Sequence, residues 1–378
     1  MKKYELWELQ SSYFSGVVMN NYSVIVLGSS GSGKTVFLAS LFKALSTLGK
    51  FGFFLDVEDS DRRKSLNKVY ETLIRGESWP PGTRNTAQWI FNCCVKTSEL
   101  SNVRACSLIY VDYAGGLITD ASTTGVDNYR EFESLVENSD AVLAIIDGQK
   151  LLFLMQDKDL NSHVVLRWLH EDLPNITQMV DKCTKNTPVH FIISKWDILE
   201  ENGYSLAEVR NRLIDTVPEF KNVVGNRKKA GCPVRLIPVS SVGRGFAILT
   251  PDGHMKKVPG KIPQPMNVEV PLAFALTDKQ RIQIDDSKPK SNSHQKSSIR
   301  KILFYILMGI ITILLLPWSL IIAAVYFLIR IFTKDKQNSA QTASDEGILS
   351  NTNAFAQVLH TCQSVQQQFL ANFPESNL

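Results

Sequence analysis

The chain has 378 residues, with 41 Lys and Arg against 37 Asp and Glu, a formal charge of +4 and a hydrophobic fraction of 44%. That balance excludes a disordered, collagen-like or disulfide-dense polypeptide and leaves room for one large core or two modest ones with appendages. The average conceals a break: Ile302 to Ile329 carry no charged side chain, while Lys288 to Lys301 just before them are rich in Ser, Lys and Asn.

The six cysteines, Cys93, Cys94, Cys106, Cys183, Cys232 and Cys362, include no C-x-x-C pair. A zinc ribbon or redox pair is therefore not expected, and a reducing compartment fits. The N-terminus, Met1-Lys2-Lys3-Tyr4-Glu5, lacks the apolar region of a signal peptide, so the body of the chain before the apolar run is expected to stay in the cytosol. Much of the cationic excess flanks the apolar run, so the charge does not point to nucleic acid as a partner.

After an N-terminal extension of residues 1–21, apolar strand-like runs alternate with amphipathic stretches from Tyr22 onward. This is the pattern of a parallel sheet with helices on its faces. The expected class is α/β, a doubly wound, mostly parallel sheet over residues 22–250, followed by a C-terminal transmembrane helix. The first strand, Ser23 to Leu27, leads into Gly28-Ser29-Ser30-Gly31-Ser32-Gly33-Lys34-Thr35 and a helix from Lys34 to Leu48. This octapeptide fits G-x-x-x-x-G-K-[ST] at each fixed position. Small residues let successive backbone N–H groups face a phosphate chain, and the helix N-terminus adds its positive end. Lys34 would neutralise the β- and γ-phosphates, and the Thr35 hydroxyl would ligate Mg²⁺.

A strand at Phe51 to Val57 and a helix at Asp61 to Arg75 follow, then the loop Trp79-Pro80-Pro81-Gly82-Thr83-Arg84-Asn85-Thr86. The next strand, Ala87 to Val95, uses Cys93 and Cys94 as small apolar fillers. The strand Ser107 to Val111 ends at Asp112, which it delivers to the carboxyl edge of the sheet, where open α/β folds bind ligands. Asp112 is read as the metal-side acid, and Gly115, three residues on, as the backbone donor to the γ-phosphate. A helix is expected from Asn128 to Val136. Asp147, at the end of the strand Ala141 to Ile146, is the rival acid, without a glycine at plus three.

Helices are expected at Leu160 to Leu173, continuing through Asn175 to Cys183, and at Ser205 to Val217. Between them the strand Val189 to Ile193 leads into Ser194-Lys195-Trp196-Asp197. A carboxylate at Asp197 can accept hydrogen bonds from the guanine N1–H and exocyclic amine, a donor pair that adenine lacks, while the Lys195 stem lies along the purine. The last strand, Val234 to Val239, runs into Ser240-Ser241-Val242-Gly243, where the Ser241 N–H can meet guanine O6.

In the order GSSGSGKT, DYAG, SKWD, SSVG, each after a strand, residues 22–250 resemble a P-loop GTPase of the Ras-like, translation-factor-related class. The extra strand and helix of Phe51 to Arg75 and the attached apolar run resemble the bacterial double-GTPase group linked to conflict systems. The resemblance implies phosphate and Mg²⁺ roles for Lys34 and Thr35, a water-mediated Mg²⁺ role for Asp112, a γ-phosphate role for Gly115 and base roles for Lys195 and Asp197. It also implies a switch threonine on Mg²⁺, Thr83 or alternatively Thr86. Two positions depart from the class. Ser194 stands where Asn or Thr is usual, which implies fewer bonds from the base loop to the P-loop. Gly116 stands where Ras-like members carry the water-orienting Gln, which implies slow intrinsic hydrolysis. Arg84 reads as a solvated surface residue, with a catalytic finger as the other reading.

Beyond a Pro/Gly-rich and then basic linker, residues 251–298, the 28 uncharged positions 302–329 would span about 42 Å as a helix, against a hydrocarbon layer of roughly 30 Å. A single crossing over 299–332 with the nucleotide domain cytoplasmic is the leading expectation, and a re-entrant hairpin divided at Pro317-Trp318-Ser319 the alternative. The tail, 333–378, has Phe355, Leu359, Cys362 and Phe369 near one helical face, for a partner or for none. The reading is a membrane-anchored switch that binds GTP and GDP with Mg²⁺ and hydrolyses GTP slowly, its partners being the nucleotide, the lipid bilayer and an unidentified protein effector or activator. An ATP-using P-loop enzyme and a GTP-bound scaffold with negligible turnover are the alternatives.

Overall fold

The computed structural model describes residues 21–46, 51–75, 78–82, 87–96, 102–112, 126–157, 160–184, 186–287 and 338–378. In chain order the elements are β1 (Asn21–Gly28), α1 (Lys34–Leu45), β2 (Phe54–Asp56), α2 (Ser60–Arg75), β3 (Ala87–Lys96), β4 (Asn102–Asp112), α3 (Val126–Glu137) and β5 (Ala141–Ile146). Then come α4 (Gly148–Gln156), α5 (His163–Arg167), which runs through a π-helical turn at Trp168–Asp172 into α6 (Leu173–Lys182), β6 (Val189–Ile193), α7 (Trp196–Glu201), α8 (Leu206–Thr216) and α9 (Pro218–Lys229). The rest are β7 (Val234–Pro238), the hairpin β8 (Ala247–Leu249) with β9 (Met255–Lys257), α10 (Val270–Ser287) and α11 (Asn338–Asn372).

Seven strands form one sheet in the order β2-β3-β4-β1-β5-β6-β7. The four pairs from β4 through β1, β5 and β6 to β7 are parallel, and β2 and β3 join antiparallel at one edge. The sheet is thus mixed but mostly parallel. The central strand β5, AVLAII, is buried on both faces, as its continuous apolar run requires. Tyr22, Val24 and Val26 of β1 point into one core with α1, while Ile25 and Leu27 point into a second core with α3, α4 and α8. Helices on both faces let the carboxyl ends of β1, β4, β5 and β6 share one open rim.

The chain divides into two compact units, one of Met19–Ile282 with Asn351–Leu378 and the other of Met1–Val18 with Gln283–Ser350. The first is wider than the 22–250 read from sequence. Pro271 sits at the second residue of α10, where a missing N–H breaks no helical bond, so the proline-rich passage leads into a helix rather than out of the domain. Phe274 of α10 meets Phe369 edge to face at 5.8 Å, and Phe355 stacks on Tyr22 of β1 at 5.8 Å. Val358, Cys362, Val365 and Phe369 are buried in the same core. The apolar stripe of the tail therefore packs on the domain that precedes it. At the C-terminus the Leu378 N–H donates to Val234 O at 3.1 Å, and Asn377 bridges Arg235 on the β7 edge.

Among the described residues no helix is long and apolar enough to cross a membrane. The run 302–329, on which the transmembrane expectation rests, lies outside them, as do Thr83, Arg84, Thr86, Gly115 and Gly116. All six cysteines are buried free thiols.

Candidate functional site

The β1–α1 loop turns on two glycines in the left-handed region, Gly31 at φ 78° and Gly33 at φ 94°. Gly33 is the N-cap of α1, and no side chain caps the helix. Lys34 is buried, its ammonium donating to Gly28 O at 2.8 Å and Ser29 O at 3.0 Å. The ammonium is thereby held inside the loop, where a phosphate chain on the backbone amides would meet it. Thr35 follows on the first turn of α1 and lines the same cleft. Asp112 is the last residue of β4, with its backbone in register with Val26 of β1 and Ala87 of β3. The Thr35 hydroxyl is an oxygen donor of the kind Mg²⁺ takes.

The β6–α7 loop carries the base-side residues. Its backbone is fixed on both sides, Ser194 N–H donating to Ile146 O at 3.0 Å and Trp196 N–H to Val239 O at 3.1 Å. The Ser194 hydroxyl also turns to Ile146 O, at 3.3 Å, and not to the P-loop. Lys195 has left-handed backbone, φ 51°, and its ammonium reaches Gly31 O at 3.2 Å and both oxygens of Asp147 at 2.8 and 2.9 Å. Asp147, read from sequence as the rival metal-side acid, therefore has a different position and partner. It caps α4 by accepting the Gln149 N–H at 3.0 Å and pairs with Lys195.

Asp197 is fully buried, and among the described residues neither of its carboxylate oxygens is hydrogen-bonded. Burial pushes its pKa above the usual carboxylate range, while the nearby Ser240 hydroxyl and the backbone pull the other way. Two orphaned acceptors in a buried carboxylate are costly unless donors reach them. The Ser241 carbonyl accepts the Ser40 hydroxyl at 2.8 Å, so the β7 loop is tied to α1. Gly243 closes that loop at φ 81°, where any Cβ would stand 2.0 Å from Gln264 O.

One cleft of about 1190 Å³ is lined by Ser30, Gly31, Gly33, Lys34 and Thr35 on one side and by Ser194, Lys195, Asp197, Ser240 and Ser241 on the other. Its far wall is the β8–β9 hairpin, which sequence reasoning did not connect to the site, and the Trp79–Gly82 segment that leads into the expected switch threonine. Trp79 Nε1 donates to Met255 O at 2.7 Å, and Lys257 donates to Thr72 O and Ser78 O at 2.8 Å. Gln149 on α4 ties the hairpin from the other side through Gly253 O at 2.6 Å. The sequence signal for this wall was the aromatic in a Pro/Gly loop, which has no partner until the chain is folded.

A family model described as Double-GTPase 1 matches residues 25–246 of the chain. No curated protein matches it.

Proposed function

On the premise that the chain belongs to the Double-GTPase 1 family, we propose that it binds GTP and GDP in the cleft between the β1–α1 and β6–α7 loops and hydrolyses GTP slowly to GDP and phosphate. The observation that carries the reading is Asp197. Asp197 lines the cleft that Lys34 and Thr35 also line, its buried carboxylate has two acceptors without a hydrogen bond among the described residues, and guanine offers a matching pair of donors. Asp197 would orient the base, the Ser241 N–H would meet O6, and Lys34 with the loop amides would hold the phosphates. Mg²⁺ would be held by Thr35 and, through water, by Asp112, with Thr83 as the switch ligand. When bound it neutralises charge on the β- and γ-phosphates.

The apolar run supports attachment to a lipid bilayer. Residues 19–282, before the run, and 351–378, after it, belong to one compact unit, which supports a hairpin that enters and leaves on one face. This departs from the single crossing expected from run length alone. The nucleotide domain and the C-terminal tail would then share the cytoplasmic side, within reach of an effector.

Competition binding on the full-length chain in detergent tests the nucleotide reading. GTP should displace labelled GDP at concentrations at least 100-fold below ATP, and Asp197→Asn should lower GTP affinity about 10- to 100-fold with little effect on ATP. Equal ATP and GTP affinities, or an Asp197→Asn chain with unchanged preference, would overturn it.

A further inference from the structure

We propose that Asp147 is a positioning residue for the purine-binding loop: its carboxylate holds the Lys195 ammonium on the Gly31 carbonyl and so locks that loop to the phosphate-binding loop. This deepens the guanine-nucleotide reading and rests on it. The Asp147 side chain is 6% exposed and that of Lys195 24%, so the pair is partly desolvated and its two short bonds are charge-assisted, while the same ammonium reaches Gly31 O at 3.2 Å. The ammonium thereby joins three elements at one atom, the β1–α1 loop, the β5–α4 junction and the β6–α7 loop.

The neighbouring backbone leaves this junction little freedom. Gly148, the first residue of α4, lies so close to the base loop that a Cβ there would stand 2.0 Å from Ser194 O. Backbone hydrogen bonds fix the base loop to β5 and β7, and the Ser194 hydroxyl is also turned to β5. The link toward the phosphate loop runs through the Lys195 side chain. Lys195 is itself held in left-handed backbone, a conformation that costs a non-glycine residue free energy and persists when surrounding bonds over-determine it. Asp197 stands two residues farther on, in the first turn of α7, so an error in the placement of Lys195 is carried to the carboxylate that reads the base.

Asp147 has a second task, capping α4, and the two tasks can be separated. Asn caps a helix about as well as Asp but carries no charge. In the full-length chain in detergent, Asp147→Asn should release a fluorescent GDP analogue about tenfold faster than wild type, with an unchanged thermal midpoint. Lys195→Met should accelerate release at least as much. The double variant should be no faster than Lys195→Met alone, because the carboxylate acts through the ammonium. Asp147→Ser, another uncharged capping residue, is the second variant should Asp147→Asn fail to fold. Release at the wild-type rate from either charge-free variant, or accelerations that multiply in the double variant, would overturn the role of Asp147. A wild-type chain that binds no guanine nucleotide would instead overturn the function, and the inference with it.

Discussion

Asp197 must be ionised to accept two donors from guanine, and burial raises its pKa in the free protein. Protonation therefore competes with the base. As pH falls through that raised value, guanine affinity should be lost at a higher pH than for an ordinary carboxylate, while above it affinity should level off. Titrating GDP affinity from pH 7.5 to about 4.5 checks this, and Asp197→Asn should flatten the profile. Gly148 offers a steric test at the same scale. Gly148→Ala drives a methyl into Ser194 O and should destabilise the fold by about 1–3 kcal/mol in urea unfolding, with faster nucleotide release. The motif residues from Gly28 to Thr35 and from Ser194 to Asp197 were legible in the sequence because each set lies within one loop. Asp147 and Asp112 were told apart there only by the glycine three residues after Asp112. Both end apolar strands, and only the packing of α4 on the β6–α7 loop gives one of them Lys195 as a partner.

Strands were legible as elements because apolar runs between turn residues have few other uses, and each expected strand is present within a few residues of its place. Helix α4 was hidden because Leu151-Leu152-Phe153-Leu154-Met155 is a short continuous apolar run with no helical period to mark it. The β8–β9 hairpin was hidden by its Pro and Gly residues, which read as a linker. It nonetheless packs Phe246 against Trp79, 6.2 Å between centroids, and holds the end of α2 through Lys257. Lys257→Met keeps most of the stem and removes the donor, leaving the Thr72, Leu73 and Ser78 carbonyls to find water. About 1–2 kcal/mol of stability should be lost. A change in tryptophan emission should accompany the loss, since the ammonium lies 5.3 Å from the Trp79 ring.

At the scale of the molecule, the return of the tail to the domain bears on stability and on the proposed topology. In sealed vesicles, a protease on one side should cut an epitope at the C-terminus and a loop of the nucleotide domain together, or neither. Cleavage of one alone would overturn the shared-face arrangement. Residue order offered the hairpin as an alternative but left the packing of the tail open, because the stripe from Phe355 to Phe369 specifies an apolar helix but not the surface that covers it. Phe369→Ala, which empties a buried aromatic site beside Phe274, should cost about 3–5 kcal/mol. The same packing means that a truncation ending near residue 285 removes a wall of the core and bares Tyr22 and Phe274. Such a fragment should aggregate or unfold early, and a synthetic peptide of residues 351–378 added in trans should restore it, making the two halves a split protein that reassembles without any membrane at all.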